Sequence, residues 1–333
     1  MPTYTVLVTD YAWPNLDIER QLLAAVGADL LVVETGSAED ITRLAAQADA
    51  ILTCWATLPA ASLEAAARCL LVSRYGIGLD NIPVQRATEL GILVTNVPDF
   101  CLEEVSDHAM ALLLASARQI VPQAAASRVG RWQRDTGQTI PRLRGQTLGL
   151  IGYGNSAQAL VPKAAGFGLK VLAYTPRLTP GRLANSVEAV ESLDDLLTQA
   201  DYISIHAPLT DETRGLIDET ALRKMKTNCV LINTSRGALI DEAALVRALA
   251  DGWIAGACLD VLAQEPPTPD HLLLSLPNVI VTPHAAFYSE ASIAELQQKA
   301  AQNVVDVLLG KEPAHIVNRE VLGQYNCRFR QKV

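Results

Sequence analysis

The sequence predicts an α/β protein of two domains, each a doubly wound parallel sheet, and three observations carry that expectation. Short β-branched or leucine-rich runs alternate with amphipathic helical patterns almost throughout, the signature of parallel strands joined by crossover helices. At 333 residues the chain is too long for one comfortable hydrophobic core. The alternation breaks once, near residue 100, and then resumes.

In the first series, residues 5–8, 30–33, 50–53, 70–73 and 92–95 read as strands, with helical patterns over 15–26, 41–48 and 59–67 between them. Residues 101–121 form one long helix pattern, opened by Pro98 and Asp99 and ended by Pro122, which has no N–H to continue it. A polar stretch bearing Arg128, Arg131, Arg134, Arg142 and Arg144 follows. The second series places strands at 147–151, 170–174, 201–206, 229–233, 254–258 and 279–282. Each series is the size of a domain, with the helix from Cys101 crossing between them. A last helix pattern, 289–309, is long enough to return to the first domain.

Composition narrows the function. Half the residues are apolar and 19% are charged, which argues against disorder. A formal net charge of −9 leaves no electrostatic footprint for nucleic acid. The six cysteines show no CxxC pair and no histidine at metal spacing, so they read as reduced, mostly buried thiols of a cytoplasmic protein and no metal is expected. The amino terminus shows no basic and apolar signal pattern, and the longest apolar run, 109–117, is far below the roughly 20 residues of a membrane helix.

Gly152-x-Gly154-x-x-Ala157 follows the strand at 147–151 and opens a helix pattern over 156–165. Gly152 permits a tight turn, Gly154 lets backbone approach a pyrophosphate, and Ala157 lets the helix pack on the sheet. The helix N-terminus offers N–H groups and positive potential to phosphates. In strand–turn–helix context this reads as a dinucleotide site, the alternative being an incidental tight turn. The next strand ends at Thr175, where NAD enzymes place the carboxylate that binds ribose hydroxyls. Thr175 does not repel a 2′-phosphate, and Arg177 pairs with one. The expectation is therefore NADP(H) rather than NAD(H), the alternative being that Arg177 is a solvated loop cation and NAD(H) is used.

Three residues then fall after successive strands: Arg236, Glu265 and His284. A planar guanidinium suits a bidentate hold on a carboxylate. Glu265 fixes the tautomer of His284 by accepting from one ring nitrogen, so that the other gives a proton near neutral pH. These are the parts needed to hold a 2-oxo acid and protonate its carbonyl. Singly, Arg236 also reads as a surface cation bridging to Asp241 or Glu242, and His284 as a core or helix-terminus residue. Asp260 reads as a solvated loop acid or as a partner of the nicotinamide carboxamide.

Together the motifs resemble the D-isomer-specific 2-hydroxyacid dehydrogenase family over nearly the full chain. The landmarks are Tyr75-Gly76-Ile77-Gly78-Leu79-Asp80-Asn81-Ile82, Gly152-Tyr153-Gly154, and His206-Ala207-Pro208-Leu209-Thr210 with Thr213. They continue through Asn233-Thr234-Ser235-Arg236-Gly237, Asp260-Val261 with Glu265-Pro266, and Thr282-Pro283-His284-Ala285-Ala286. The resemblance implies a Rossmann cofactor domain, 99–289, inserted in a flavodoxin-like substrate-binding domain, 1–98 plus 290–333. It implies a homodimer joined through the cofactor domains, the helix from Cys101 contributing.

By the same resemblance His284 is the proton donor, Glu265 its partner and Arg236 the substrate anchor. Amides of Gly76, Ile77 and Gly78 take the substrate carboxylate. Thr234, Asp260 and the segment from His206 to Pro208 line the nicotinamide side, with Thr213 beside them, and Asn155 and Ser156 face the pyrophosphate. The implied activity is NAD(P)H-dependent reduction of a small 2-oxo acid to a D-2-hydroxy acid. Thr175, in place of an acidic residue, resembles the NADP-using glyoxylate and hydroxypyruvate reductases. Ala286-Phe287-Tyr288-Ser289-Glu290 resembles the C-terminal-binding-protein branch instead, which opens the alternative of a nucleotide-sensing corepressor or scaffold. Phe287 and Trp55 either face the substrate side chain or are core aromatics.

Overall fold

The computed structural model of the protein describes residues 4–132, 140–183 and 186–332, and Arg134 lies outside them. The chain divides into two compact units, Met1–Phe100 with Ser289–Val333, and Cys101–Tyr288. The first unit begins β1 (Tyr4–Val8), α1 (Asp17–Ala24), β2 (Ala28–Val32), α2 (Ala38–Ala45), β3 (Ala50–Thr53), α3 (Ala60–Ala65), β4 (Leu71–Arg74), α4 (Val84–Glu89) and β5 (Leu93–Thr95). Its strands pair in parallel in the order β2-β1-β3-β4-β5. Leu7, Ile51 and Val72 are fully buried, as expected of strands covered on both faces. Strand order reverses between β1 and β3, so the carboxyl ends of these strands are where such a sheet takes ligands.

The second unit holds α5 (Leu102–Ala117), α6 (Ile120–Arg128), β6 (Thr147–Ile151), α7 (Asn155–Gly166), β7 (Lys170–Tyr174), β8 (Gly181–Arg182), β9 (Glu188–Ala189), α8 (Leu193–Gln199) and β10 (Tyr202–Ile205). It continues with α9 (Glu219–Lys224), β11 (Val230–Asn233), α10 (Glu242–Ala250), β12 (Gly256–Leu259), α11 (Leu272–Ser275) and β13 (Val279–Val281). The sheet order is β13-β12-β11-β10-β6-β7-β9-β8, with β8 and β9 antiparallel and the other pairings parallel. The chain then returns to the first unit as α12 (Glu290–Leu308) and α13 (Arg328–Lys332). Ser289 caps α12 by accepting from Ser292 N–H at 2.9 Å, and the helix packs on α1, β3 and β4.

Two sequence expectations need correction. The single helix over 101–121 is two helices, α5 and α6, parted at Gln119, whose φ of 54° is left-handed. In an unbroken helix Pro122 clashes with the carbonyl four residues back. Restarting the helix at Ile120 puts Pro122 in a first turn, where its missing N–H is not needed. The strand expected at 254–258 lies at Gly256–Leu259, with Ile254 buried ahead of the ladder.

Candidate active site

Arg236, Glu265 and His284 follow β11, β12 and β13, three adjacent strands of one sheet. The turn after β11 is tied by its own polar side chains. Asn233 donates from Nδ2 to Arg236 C=O at 2.8 Å and accepts Ser235 N–H at 2.9 Å, while Ser235 Oγ donates to Ile205 C=O at 2.8 Å. Arg236 is half-buried and its Nη1 donates to Ser235 C=O at 2.8 Å. Asp241 caps α10 by accepting Ala244 N–H at 3.0 Å, and Glu242 accepts Ala263 N–H at 2.6 Å beside His271 Nε2 at 3.2 Å.

Asp260 is not a solvated loop acid: only 1% of it is exposed. Its Oδ1 accepts from Thr282 Oγ1 at 2.5 Å and Ala285 N–H at 2.9 Å, and its Oδ2 accepts Ala286 N–H at 2.8 Å. Its backbone carbonyl takes His284 N–H at 2.8 Å. The carboxylate thus fixes the loop in which His284 adopts φ 50°, a left-handed conformation that needs outside support in a residue with a side chain.

From that loop His284 Nδ1 meets Glu265 Oε2 at 2.6 Å, and the other carboxylate oxygen accepts Leu262 N–H at 2.8 Å. Burial alone raises the Glu265 pKa. The His284 hydrogen bond and charge, the Leu262 N–H and the Arg236 guanidinium outweigh it, so the net shift is downward. Imidazole and guanidinium therefore both act electrostatically on this carboxylate. Phe287 lies edge-on to the His284 ring, centroids 6.2 Å apart, and is half-buried. The loop carrying Glu265 crosses Gly237 so closely that a Cβ there falls 2.0 Å from Leu262 C and 2.3 Å from Ala263 N.

The glycine turn fits a dinucleotide. Gly152 has φ 92°, and a Cβ on it meets the His206 carbonyl carbon and oxygen at 2.7 Å. At Gly154, which caps α7, an added Cβ meets nothing within 4 Å, so the backbone is open to a close ligand. Asn155 and Ser156 open the helix, Asn155 exposed, and Ala157 is fully buried against the sheet. The His206 side chain is buried, 2.9 Å from Ser204 Oγ and 3.3 Å from Ser156 Oγ. Thr213 Oγ1 donates to Pro208 C=O at 2.7 Å and braces that segment. Thr234 Oγ1 is buried with no hydrogen-bond partner among the described residues, an open demand of the kind a bound ligand satisfies. At the end of β7, Thr175 is half-buried and Arg177 exposed.

In the first unit, Asp10 accepts the N–H groups of Cys54, Trp55 and Ala56 at 2.9, 2.6 and 3.0 Å and so shapes the loop after β3. Trp55 is 44% exposed, which removes it from the core, with the Arg74 guanidinium 5.7 Å from its ring centre. After β4, Gly76 C=O accepts Val97 N–H at 3.0 Å and Ile77 C=O accepts from Asn96 Nδ2 at 2.8 Å. The carbonyls of Gly76 and Ile77 are thereby engaged.

Sequence reasoning missed His108, whose Nε2 lies 2.9 Å from Thr282 Oγ1 and 3.4 Å from Asp260 Oδ1. It named Glu242 only as a partner weighed for Arg236 and Gly237 only within a motif, without the contacts both make to the 262–263 backbone. The signal for His108 is a polar residue on the stripe of α5 shared with Val105, Ala109 and Leu112. All six cysteines are buried and none is joined in a disulfide. Among the described residues no helix is long and apolar enough to cross a membrane, and no cluster of three metal-ligating side chains occurs.

Residues 110–286 match the family model described as D-isomer specific 2-hydroxyacid dehydrogenase, NAD binding domain. A glyoxylate reductase of Korarchaeum cryptofilum is 41% identical over 263 residues, 78% of this chain and 79% of that protein. The crystal structure of a glyoxylate reductase from Paecilomyes thermophila superposes with a TM-score of 0.87 at 28% identity, covering 96% of this chain and 100% of that one. An NADPH-dependent glyoxylate/hydroxypyruvate reductase from Sinorhizobium meliloti, solved with NADP and malonate, gives 0.84 at 30% identity, covering 95% and 97%. The chain belongs to the D-isomer-specific 2-hydroxyacid dehydrogenase family, a family of oxidoreductases. The corepressor alternative finds no support in these relatives.

Proposed function

We propose that this protein reduces a small 2-oxo acid to the D-2-hydroxy acid with NAD(P)H, His284 giving the proton. The observation that carries the reading is the 2.6 Å contact of His284 Nδ1 with Glu265, beside Arg236. With Nδ1 committed to the carboxylate, Nε2 is the nitrogen that donates to the carbonyl oxygen. Arg236 holds the substrate carboxylate and meets charge developing on that oxygen with a fixed cation. The amides of the 76–78 turn serve the substrate carboxylate, and Trp55 and Phe287 its side chain. The nicotinamide cofactor supplies the hydride. Its pyrophosphate is taken by Gly152, Gly154, Asn155 and Ser156, and its nicotinamide side by Thr234, Pro208 and the backbone of His206, with Thr213 bracing them and Asp260 holding the adjoining loop.

Thr175 and Arg177 favour NADP(H): the position offers a cation and no carboxylate to a 2′-phosphate. The protein acts as a cytoplasmic homodimer. Support for the dimer comes from α6, which buries none of its own residues and leads to Val129 and Trp132, 71% and 91% exposed. The deciding experiment measures initial rates with NADPH and NADH against glyoxylate, hydroxypyruvate, phenylpyruvate and branched-chain oxo acids. His284→Ala should lower turnover by about two to four orders of magnitude. An unchanged rate in that variant removes the assignment, and silence across the panel favours a scaffold instead.

A further inference from the structure

We propose that His108, on α5, is a positioning residue for the proton-donating loop. The Thr282 hydroxyl has one proton to give. Asp260 Oδ1, 2.5 Å away, accepts that proton. The contact between Thr282 Oγ1 and His108 Nε2 at 2.9 Å is then donated by the imidazole, so Nε2 carries a proton. A directed chain results, from His108 Nε2–H to Thr282 Oγ1–H to the Asp260 carboxylate. The same carboxylate receives Ala285 and Ala286 N–H, and the Asp260 carbonyl receives His284 N–H.

This places His108 at the outer end of the frame that holds His284 in its left-handed conformation. A buried carboxylate is stable only when its lone pairs are filled, and His108 supplies the one link in this set that comes from outside the 260–286 segment. Helix α5 packs on α7, β11 and β12, so it ties the loop to the rigid part of the second unit. Removing the imidazole leaves Thr282 free to rotate and the Asp260 bonds without their orienting donor. The aim of His284 suffers, while groups that bind substrate and cofactor keep their places. The inference rests on His284 being the proton donor.

The test compares His108→Ala, His108→Gln, Thr282→Val and the double variant His108→Ala/Thr282→Val in steady-state kinetics and thermal unfolding. Misaiming a catalytic group predicts that His108→Ala lowers kcat by about tenfold, with KM for oxo acid and cofactor within about twofold. Glutamine, which presents an N–H donor, should restore most of kcat. The double variant should be no slower than Thr282→Val alone, because both changes break one chain. A wild-type kcat in His108→Ala overturns the proposal. So does a glutamine variant whose melting temperature recovers while its kcat does not, or kcat losses that multiply in the double variant. His284→Ala run alongside separates the two readings. If it is inactive while His108→Ala is normal, only the positioning role fails, and if it is fully active, both fail.

Discussion

Replacing Gly237 by alanine tests whether the Glu265 loop must lie where the structure has it. The added Cβ falls 2.0 Å from Leu262 C, 2.3 Å from Ala263 N and 2.3 Å from Leu262 O, all backbone atoms that no side-chain rotation can move. Relief to a tight contact of about 3.0 Å needs roughly 1.0 Å of displacement, and to an ordinary one of about 3.4 Å roughly 1.4 Å. Leu262 N–H is also what holds Glu265 Oε1, at 2.8 Å, so the carboxylate travels with the loop. Adding that motion to the 2.6 Å contact with His284 stretches it beyond a hydrogen bond. A misplacement of about 1 Å at a reacting group costs on the order of a hundredfold in rate. Steady-state kinetics of Gly237→Ala should therefore show kcat down by that order, in protein whose far-ultraviolet circular dichroism stays native. A folded variant with wild-type kcat and KM refutes the claim that this crossing sets the site.

Glu265 is held below its ordinary pKa, so the acid limb of kcat/KM that it governs should lie below about pH 4.5 and vanish in Glu265→Gln. An unchanged limb in that variant assigns it elsewhere. Burial pushes His206 down from 6.5 to about 4. The unfolded chain takes up a proton below 6.5 that the native chain refuses until about 4, so stability is lost as pH falls across that window, by about 3 kcal/mol at most. Urea unfolding at pH 7 and 4.5 should show a smaller loss in His206→Asn than in the wild type, and equal slopes count against this. Arg177→Ala should lower the NADPH/NADH rate ratio and Thr175→Asp should reverse it, whereas ratios unmoved by either change separate this position from cofactor choice. Val129→Asp with Trp132→Ala should shift the sedimenting species from dimer to monomer, and an unaltered mass puts the interface elsewhere.

The longer strands of both sheets were legible because buried parallel strands are written as short apolar runs, such as 50–53 and 230–233, that no helix period fits. The trio was legible because each member follows such a run. What stayed hidden depends on distances across the fold. Two-residue strands such as Gly181–Arg182 carry no periodicity. The break at Gln119 is invisible locally, because Pro122 reads equally as the end of one helix or the first turn of another. Gly237 gives no sign in sequence that the backbone of Leu262 and Ala263 passes over it. His108 meets Thr282 across 174 positions, and only the packing of α5 on the sheet joins them.

Two carboxylates follow β12, and their surroundings decide which one answers to the imidazole. Asp260 has both oxygens filled, by Thr282 hydroxyl and Ala285 N–H on one side and Ala286 N–H on the other, and it is buried beneath the loop. Its charge is committed before any proton moves. Glu265 spends one oxygen on Leu262 N–H and turns the other to His284, with its side chain 35% exposed. The His284 ring therefore meets Glu265 directly, while Asp260 reaches His284 through backbone, at His284 N–H. The sequence distance between the two acids is short, but their work differs: one carboxylate fixes the loop that carries the ring, and the other engages its Nδ1.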